Sequence, residues 1–319
     1  MTFWLAMKAG FGFLSTIPVG ITMEGIDALM KKLYMYAIVG SILGLIIGIF
    51  GAVTEVIFPT PLTVILIMGF IYYIIWFNHL DGVADMGDGM TAHGTVEKKR
   101  KALKDMAVGV GGVASVVLVM LALYAALITL EGAAIQIGND FKDLNFYSNW
   151  YMTGPLTGFI FEFIYNSAAY ESVAYNSAAY NSFSPKLIAA AIIGLALLVS
   201  ETNAKQSMIT IATFGKSFQE GLGAMTIRGG TFKNMAVGTV YSLLTAFLFL
   251  GFTGVAATLL SILSALVILK ISNKHFEGLN GDGIGVSNEI GRIVSIVSIA
   301  VIYNILYKIA LNGGFSWTL

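Results

Sequence analysis

The sequence contains no cysteine and few histidines. The absence of cysteine excludes disulfides, thiolate catalysis and zinc–thiolate sites. The three histidines, His79, His93 and His275, are too few for a polyhistidine metal centre. The 18 Lys and Arg residues balance the 18 Asp and Glu residues, so the chain lacks the excess positive charge typical of a nucleic-acid-binding protein, and no nucleic-acid partner is expected.

Charged side chains are scarce and apolar ones are abundant. Only 11% of the 319 residues are charged and 57% are hydrophobic, whereas an average globular domain has roughly 25% charged residues. The mean hydropathy is +0.81. This composition predicts an integral membrane protein and not a soluble enzyme with a large core.

Apolar runs predict an all-α fold with about seven transmembrane helices, since roughly 20 apolar residues cross a bilayer as a helix. The whole chain, 1–319, is expected to form a single polytopic membrane domain. The first run is followed by Pro59 and Pro61, which predict a tight turn before a second run that returns through Phe77. The runs lie near 33–58, 62–77, 108–130, 186–200, 234–251, 253–271 and 293–311.

The distribution of cations predicts the orientation in the membrane. With the N-terminus in the cytoplasm, all 18 lysines and arginines except Lys142, Lys186 and Lys308 fall on the cytoplasmic side, as the positive-inside rule requires. We therefore expect a multi-pass protein of the cell membrane whose acidic, glycine-rich active-site loops face the cytoplasm. The loops on that face are 78–106, 201–233 and 273–292.

Two segments do not have the pattern of a span. Residues 2–20 mix aromatic residues with Lys8 and glycines, and predict an interfacial or re-entrant segment. Residues 131–185 are polar, and the motif YNSAAY occurs at 165–170 and again at 175–180. Because a ten-residue period repeated twice is too short for a solenoid, we expect 131–185 to be a low-complexity extramembrane insertion.

A cluster of carboxylates follows the second apolar run, in the sequence WFNHLDGVADMGDGMTA at 76–92. If this segment is helical, Asp81, Asp85 and Asp88 lie on one face at spacings of four and three residues. Three acids there repel one another unless a cation lies between them, and hard divalent cations prefer oxygen ligands. The pattern predicts a Mg²⁺ site at the membrane surface for a phosphorylated substrate; the alternative is a polar loop with solvated acids.

A second acidic constellation, Asp282 and Glu289, lies among glycines in the last predicted loop. It would either share a metal–phosphate site with the first or cap the last helix, where an acid interacts favourably with the helix dipole.

The cations at 98–104 are interpreted as a membrane anchor, as phosphate contacts, or as both. Lys216 lies in the middle loop, GKSFQEGLGAM at 215–225.

These motifs resemble the adenosylcobinamide-GDP ribazoletransferase, or cobalamin synthase, family over nearly the whole chain, the 131–185 segment excepted. The resemblance is carried by FLSTIPV at 13–19, HLDGVADMGDG at 79–89, LKDMAVGVGG at 103–112, GLG at 221–223 and GLNGDGIGVSNE at 278–289. The chain departs from the family where an arginine usually follows the KD element, since Ala107 and Val108 stand there. A late acid of the family is replaced by Arg292.

The resemblance implies transfer of the adenosylcobinamide-phosphate group of adenosylcobinamide-GDP to α-ribazole or its 5′-phosphate, with release of GMP. It implies Mg²⁺ as cofactor, the lipid bilayer as environment, and leaves a homo-oligomer open. The implied metal ligands are Asp81, Asp85 and Asp88, one of them a candidate general base, with Asp282 and Glu289 completing the metal site or positioning the nucleophile. The candidate groups around the substrate phosphates are His79, Gly82, Lys104 and Lys216.

Two other functions fit parts of the pattern. A CDP-alcohol phosphotransferase also carries a DG-containing acidic motif, but Asp85 stands where that motif has arginine. A cation-coupled transporter also has acids and glycine-broken helices. However, the acids here cluster at one predicted membrane face instead of at mid-span.

Overall fold

The computed structural model describes residues 2–105, 107–140, 151–159, 161–162 and 178–311. Its helices are α1 (Thr2–Leu14), α2 (Met23–Lys31), α3 (Met35–Ile57), α4 (Thr60–Ile75), α5 (Asn78–Thr91), α6 (Val96–Ala102), α7 (Val110–Asn139), α8 (Ala178–Phe214), α9 (Leu222–Gly229), α10 (Phe232–Phe276) and α11 (Gly281–Leu311). Within the described residues, β pairing is confined to one bridge between Ser217 and Leu279. The predicted all-α fold is confirmed.

Several of these helices are long and apolar enough to cross a membrane. By length and composition they are α3, α7, α8 from Pro185, α10 and α11, and α4 together with α5 forms a further candidate that is bent by 94°. The chain is therefore a multi-pass membrane protein. We regard α4 as the spanning part of the bent pair, and α5 as the segment that leaves its direction at the end of the span.

Helix α10 is a hairpin of two arms that reverse at Gly251, which has φ 55° and ψ −142°. Residues 246 and 254 would be about 12 Å apart in a straight helix. In the structure a Cβ at Gly254 would instead overlap the carbonyl oxygen of Ala246, so the chain folds back between them. The predicted spans 234–251 and 253–271 are thus two antiparallel helices. Counted separately, together with the other four helices and the bent α4–α5 pair, they give seven apolar passes within the described residues.

Helix α8 is the centre of the bundle and packs most closely on α3. A Cβ at Gly40 or Gly44 would come within 3 Å of the α8 backbone, and a Cβ at Gly48 would overlap Gly194. The small residues spaced along α3 let the two backbones approach, as small residues do in membrane helix pairs. Every residue from Val199 to Ala212 of α8 is buried.

The predicted end of the fourth span at Ser200 is wrong, because α8 continues to Phe214. The polar residues after Ser200 bond to neighbouring helices: Asn203 donates to Ser295 Oγ at 2.9 Å and accepts from Thr258 Oγ1 at 2.9 Å. Polar side chains that satisfy one another inside the bundle do not require a loop.

Three further predicted boundaries also differ. Helix α7 runs nine residues past the predicted end at Leu130, to Asn139, and α8 begins at Ala178, so both enter the predicted 131–185 insertion. The YNSAAY repeat lies mostly outside the described residues.

The last helix, α11, begins at Gly281 and not at the predicted residue 293. Asn280 caps its start, because Asn280 Oδ1 accepts the amide of Gly283 at 3.2 Å. Helix α1, with 13 residues, is shorter than a span.

We expect Gly251→Ala to destabilise the α10 hairpin, because a Cβ disfavours φ 55° with ψ −142°. The expected cost is about 1–3 kcal/mol, measured as the free energy of unfolding in detergent. Gly132→Ala is the control, since Gly132 is exposed on α7 and a Cβ there meets nothing within 4 Å. Equal stabilities of the two variants would contradict the hairpin assignment.

Candidate active site

The acidic motif was expected in a loop at 78–106, with a helix considered for its spacing; it forms helix α5, which begins at a sharp bend. Trp76 has φ 66° between α4 and α5, an uncommon conformation for a bulky residue. The rings of Tyr72 and Phe77 stack across this bend with centroids 5.6 Å apart. The bend turns α5 by 94° from α4. The carboxylates of α5 therefore come after the end of the apolar helix α4 and do not lie within it.

Helix α5 is wedged between α7 and α11 at glycines. A Cβ at Gly82 would lie 2.9 Å from both the Cα and the carbonyl oxygen of Asp282 in the first turn of α11. On the other side, a Cβ at Gly87 would lie 2.7 Å from the Gly111 carbonyl of α7. These close backbone approaches bring Asp282 beside the acidic face of α5.

Four carboxylates therefore lie along the junction of two helices: Asp81, Asp85, Asp88 and Asp282. Asp81 is exposed, and Asp85 and Asp88 are partly exposed. Partial burial, together with the charges of Asp282, Asp81 and Asp88, raises the pKa of Asp85 to about 7. The first three were predicted to share one face, and Asp282 lies beside that helix, as one of the two interpretations of the second acidic motif predicts.

Asp88 also holds the start of α7. Its Oδ2 accepts the amide of Gly109 and its Oδ1 accepts the amide of Gly112, both at 2.7 Å. Gly109 is the residue that precedes the first turn of α7, so the carboxylate satisfies amides that have no partner within the helix. This second role of Asp88 was not predicted. A cavity of about 560 Å³ borders Asp88, Asp105 and Gly109.

The chemistry of the donor set fits Mg²⁺, although the side chains are not gathered around one point. In the part of the chain that the structure describes, no three His, Cys, Asp or Glu side chains are close enough to share an ion. Among described residues, the carboxylates of Asp81 and Asp85 have no hydrogen-bond partner, and Asp282 Oδ2 accepts only from Asn280 Nδ2, at 2.5 Å. Oxygen-only donors with free lone pairs are the ligands that Mg²⁺ prefers.

The middle loop reaches this site, as predicted. The amide of Leu279 donates to the Lys216 carbonyl at 2.8 Å, and the amide of Phe218 donates to the Leu279 carbonyl at 3.3 Å. A Cβ at Gly223 would lie 2.5 Å from the amide nitrogen of Gly281. The exposed side chain of Lys216 thus belongs to a segment that borders the start of α11.

The cations before α7 differ in what they contact. Arg100 donates to the Phe276 carbonyl through Nε at 2.9 Å and Nη2 at 2.6 Å, and it lies over the ring of Phe218 at 4.7 Å. It therefore caps the end of α10 instead of facing solvent. Lys104 is exposed and forms no ion pair with a described residue, so its predicted contact with phosphate stays a prediction.

Glu289 is fully buried in a charge network. It forms an ion pair with Arg292 at 2.5 Å, and Arg292 also pairs with Glu201 of α8. Lys205 donates to Asn288 Oδ1 at 2.6 Å and lies 3.5 Å from Glu201. Lys205 and Arg292 were assigned to cytoplasmic loops from the sequence, and that assignment is wrong, because both are fully buried.

His79 and Tyr72 connect this network to α4 and α5. The hydroxyl of Tyr72 donates to Glu289 Oε2 at 3.0 Å. His79 Nδ1 lies 3.9 Å from Glu289 Oε1 and has no hydrogen-bond partner among the described residues. Burial, helped by the charges of Lys205 and Arg292, holds the pKa of His79 well below its usual value, so the ring is neutral at pH 7.

Sequence reasoning missed the network, although one signal was present. Glu201 and Lys205 are separated by four residues, which places them together on one helix face. Their position directly after an apolar run made the segment resemble a loop.

Comparison with known proteins gives a consistent result. The sequence model of the cobalamin-5-phosphate synthase family matches residues 6–143 and 168–300. The chain is 44% identical to the adenosylcobinamide-GDP ribazoletransferase of Methanosarcina barkeri, with 100% of this chain and 99% of that protein aligned. It is 41% identical to that of Methanococcoides burtonii, with 99% and 98% aligned. No solved structure matches the chain.

We expect Glu201→Gln to destabilise the protein by about 3–5 kcal/mol, because it leaves the two buried cations, Lys205 and Arg292, facing only Glu289. The double variant Glu201→Gln with Lys205→Met removes one charge of each sign and should lose less than the single variant. Glu220→Gln, at an exposed pair with Arg228, is the control and should cost less than about 1 kcal/mol. Unfolding in mixed micelles measures all three, and a single variant as stable as the control would contradict the network.

Proposed function

The chain belongs to the cobalamin-5-phosphate synthase family, and from this premise we propose that it transfers the adenosylcobinamide-phosphate group of adenosylcobinamide-GDP to α-ribazole or to its 5′-phosphate. The enzyme class, a cobalamin synthase, follows from the family and from relatives that align over the full chain. The substrates, the metal and the place of reaction are the proposal.

The close backbone approach of α5 to the first turn of α11, which places Asp282 beside the helix that carries Asp81, Asp85 and Asp88, is the observation that supports it most strongly. All four lie in the two motifs that carry the family resemblance, 79–89 and 278–289. Phosphoryl transfer depends mainly on positioning and on neutralising the charge of the phosphates. An acidic cluster can bind a diphosphate only through a cation, so the arrangement favours metal-dependent transfer.

Mg²⁺ would be held by Asp81, Asp85 and Asp88, with Asp282 beside them. When bound, it would neutralise phosphate charge and polarise the reacting phosphorus. The protein's contribution is to keep these carboxylates in place. The Gly109 and Gly112 amides fix Asp88, and Asn280 fixes Asp282.

The proposed chemistry is a single displacement at phosphorus. The ribazole hydroxyl oxygen forms a bond to the cobinamide-side phosphorus, and the bond from that phosphorus to the oxygen bridging to GMP breaks. The hydroxyl proton passes to a carboxylate of the site, for which Asp81 or Asp85 is suited because neither side chain is held by a described hydrogen-bond partner. GMP leaves with the electron pair of the broken bond.

Glu289 and His79 are assigned positioning roles in this proposal. Arg292, Tyr72 and Asn288 occupy the Glu289 carboxylate, which fixes α11 against α4. His79 contacts the same carboxylate from α5, and a Cβ at Gly285 would lie 3.1 Å from its Cα. These contacts place Asp282 relative to Asp81 and Asp85.

The place of reaction is proposed to be the cytoplasmic surface of the cell membrane. Helix α5 turns away from the direction of α4 at an exposed pair of aromatic residues, Trp76 and Phe77, which are typical of a membrane interface. The cationic helix α6 follows directly. Both features favour an active site at the surface of the bilayer instead of at its centre.

We expect the purified protein, given adenosylcobinamide-GDP and α-ribazole, to form GMP and a complete corrinoid in equal amounts, and only with Mg²⁺. Asp81→Asn, Asp85→Asn and Asp282→Asn should each lower turnover at least ~10²-fold with the fold intact, the scale for removing a preorganised charged group. Chromatography of both products measures the rate.

Glu97→Gln is the matched control, since Glu97 is an exposed acid on the neighbouring helix α6, and its turnover should equal that of the wild type. Near-normal turnover in all three aspartate variants would reject the site. Release of CMP from a CDP-linked donor, with no GMP from adenosylcobinamide-GDP, would instead favour a CDP-alcohol phosphotransferase.

A further inference from the structure

A second, basic cavity opens where α2, α9 and α10 meet. Its volume is about 790 Å³, within the range of ligand-binding pockets. The cations that line it come from three helices and the residue after α2: Lys31, Lys32, Arg228 and Lys233. Asp27 is the acid that lines it, so these charges sum to about three positive charges.

These cations have little that neutralises them within the protein. Among the described residues, none of the three lysines forms an ion pair, and Arg228 pairs only with Glu220 at 3.1 Å, where both side chains are exposed. A salt bridge of that kind is weak and readily exchanged. Positive charge that converges on a cavity without internal partners is suited to an anionic ligand.

The first turn of α10 adds to this potential. Thr231 precedes the helix, and its Oγ1 accepts the amide of Asn234 at 3.2 Å. Thr231, Lys233 and Asn234 all line the cavity. The remaining amides of a first helical turn have no acceptor within the helix, and that end of the helix dipole is positive, so phosphate groups bind there readily.

Helix α9 connects this cavity with the acidic site. At its start, a Cβ at Gly223 would lie 2.5 Å from the Gly281 amide nitrogen, next to Asp282. At its end, a Cβ at Gly229 would lie 2.5 Å from the carbonyl oxygen of Met30, which lines the basic cavity. Six residues of α-helix span about 9 Å, so the two sites are neighbours at opposite ends of one short helix.

We propose that the basic cavity binds the nucleotide end of the diphosphate-linked substrate, with the leaving nucleotide's phosphate held by Lys31, Lys233 and the first turn of α10. This inference rests on the proposed function. The acidic site holds the reacting phosphate through a cation, and the basic cavity holds the phosphate that departs. An anionic lipid headgroup presents the same phosphate chemistry, and the experiment separates the two ligands.

The test compares Lys31→Gln with Lys233→Gln, as a double variant, against Lys8→Gln, an exposed lysine of α1 outside the cavity. GDP is the binding probe, titrated into each protein in neutral detergent. We expect the double variant to weaken GDP binding at least about tenfold, because two charge-assisted contacts are lost. The control should bind as the wild type does, and Lys31→Arg with Lys233→Arg should restore most of the affinity.

Kinetics supply the second measurement. The double variant should raise KM for adenosylcobinamide-GDP about tenfold or more and leave KM for α-ribazole unchanged. Equal effects on both KM values, or no effect on GDP binding, would overturn the proposal. Since GDP binding does not require turnover, a wild-type protein that binds GDP at these lysines but forms no corrinoid would reject the proposed reaction and keep the nucleotide site.

The lipid arm uses vesicles with and without anionic phospholipid. If the nucleotide occupies the cavity, the substitutions change KM for adenosylcobinamide-GDP equally in both kinds of vesicle. If instead wild-type activity rises with anionic lipid, and the double variant loses only that rise while GDP binding is unchanged, the cavity binds a lipid headgroup and the proposal is wrong.

Discussion

The acidic site depends on the backbone contact between α5 and the first turn of α11. Gly82 lets α5 approach until its backbone touches that of Asp282, and only this approach adds a carboxylate of α11 to those of α5. A side chain at Gly82 would have to push the two helices apart. The charges of Asp81, Asp88 and Asp282 all raise the pKa of Asp85, and a cation would relieve this repulsion.

A buried network of ions stabilises the helices that make this contact. Glu201 and Lys205 of α8 meet Glu289 and Arg292 of α11, with two charges of each sign. Burying these charges costs desolvation energy, and the attraction between opposite charges offsets that cost only when every partner is present. The network joins α8, at the centre of the bundle, to α11, which carries Asp282. Fixing α11 in this way is a physical reason for burying these charges.

Regions of opposite charge lie at the two ends of helix α9. The aspartates lie where α5 meets α11, and the lysines of the basic cavity lie one short helix away, at the far end of α9. A substrate with two phosphates in series can be bound by such a pair of regions, one through a cation and one directly. The relatives' names specify a nucleotide-linked substrate of this kind.

The all-α membrane fold, the spacing of Asp81, Asp85 and Asp88 along one helix face, and two separate apolar runs at 234–251 and 253–271 were all predictable from the sequence, because apolar length and residue spacing act locally. Whether Asp282 lies beside the three aspartates, and the burial of Glu289, Lys205 and Arg292 in one ion network, were decided only by the tertiary structure. A polar segment such as 201–210 has the composition of a loop, and whether it is solvated or buried depends on partners that lie far away along the chain. Local pattern therefore determined the elements, and long-range packing determined which charges meet.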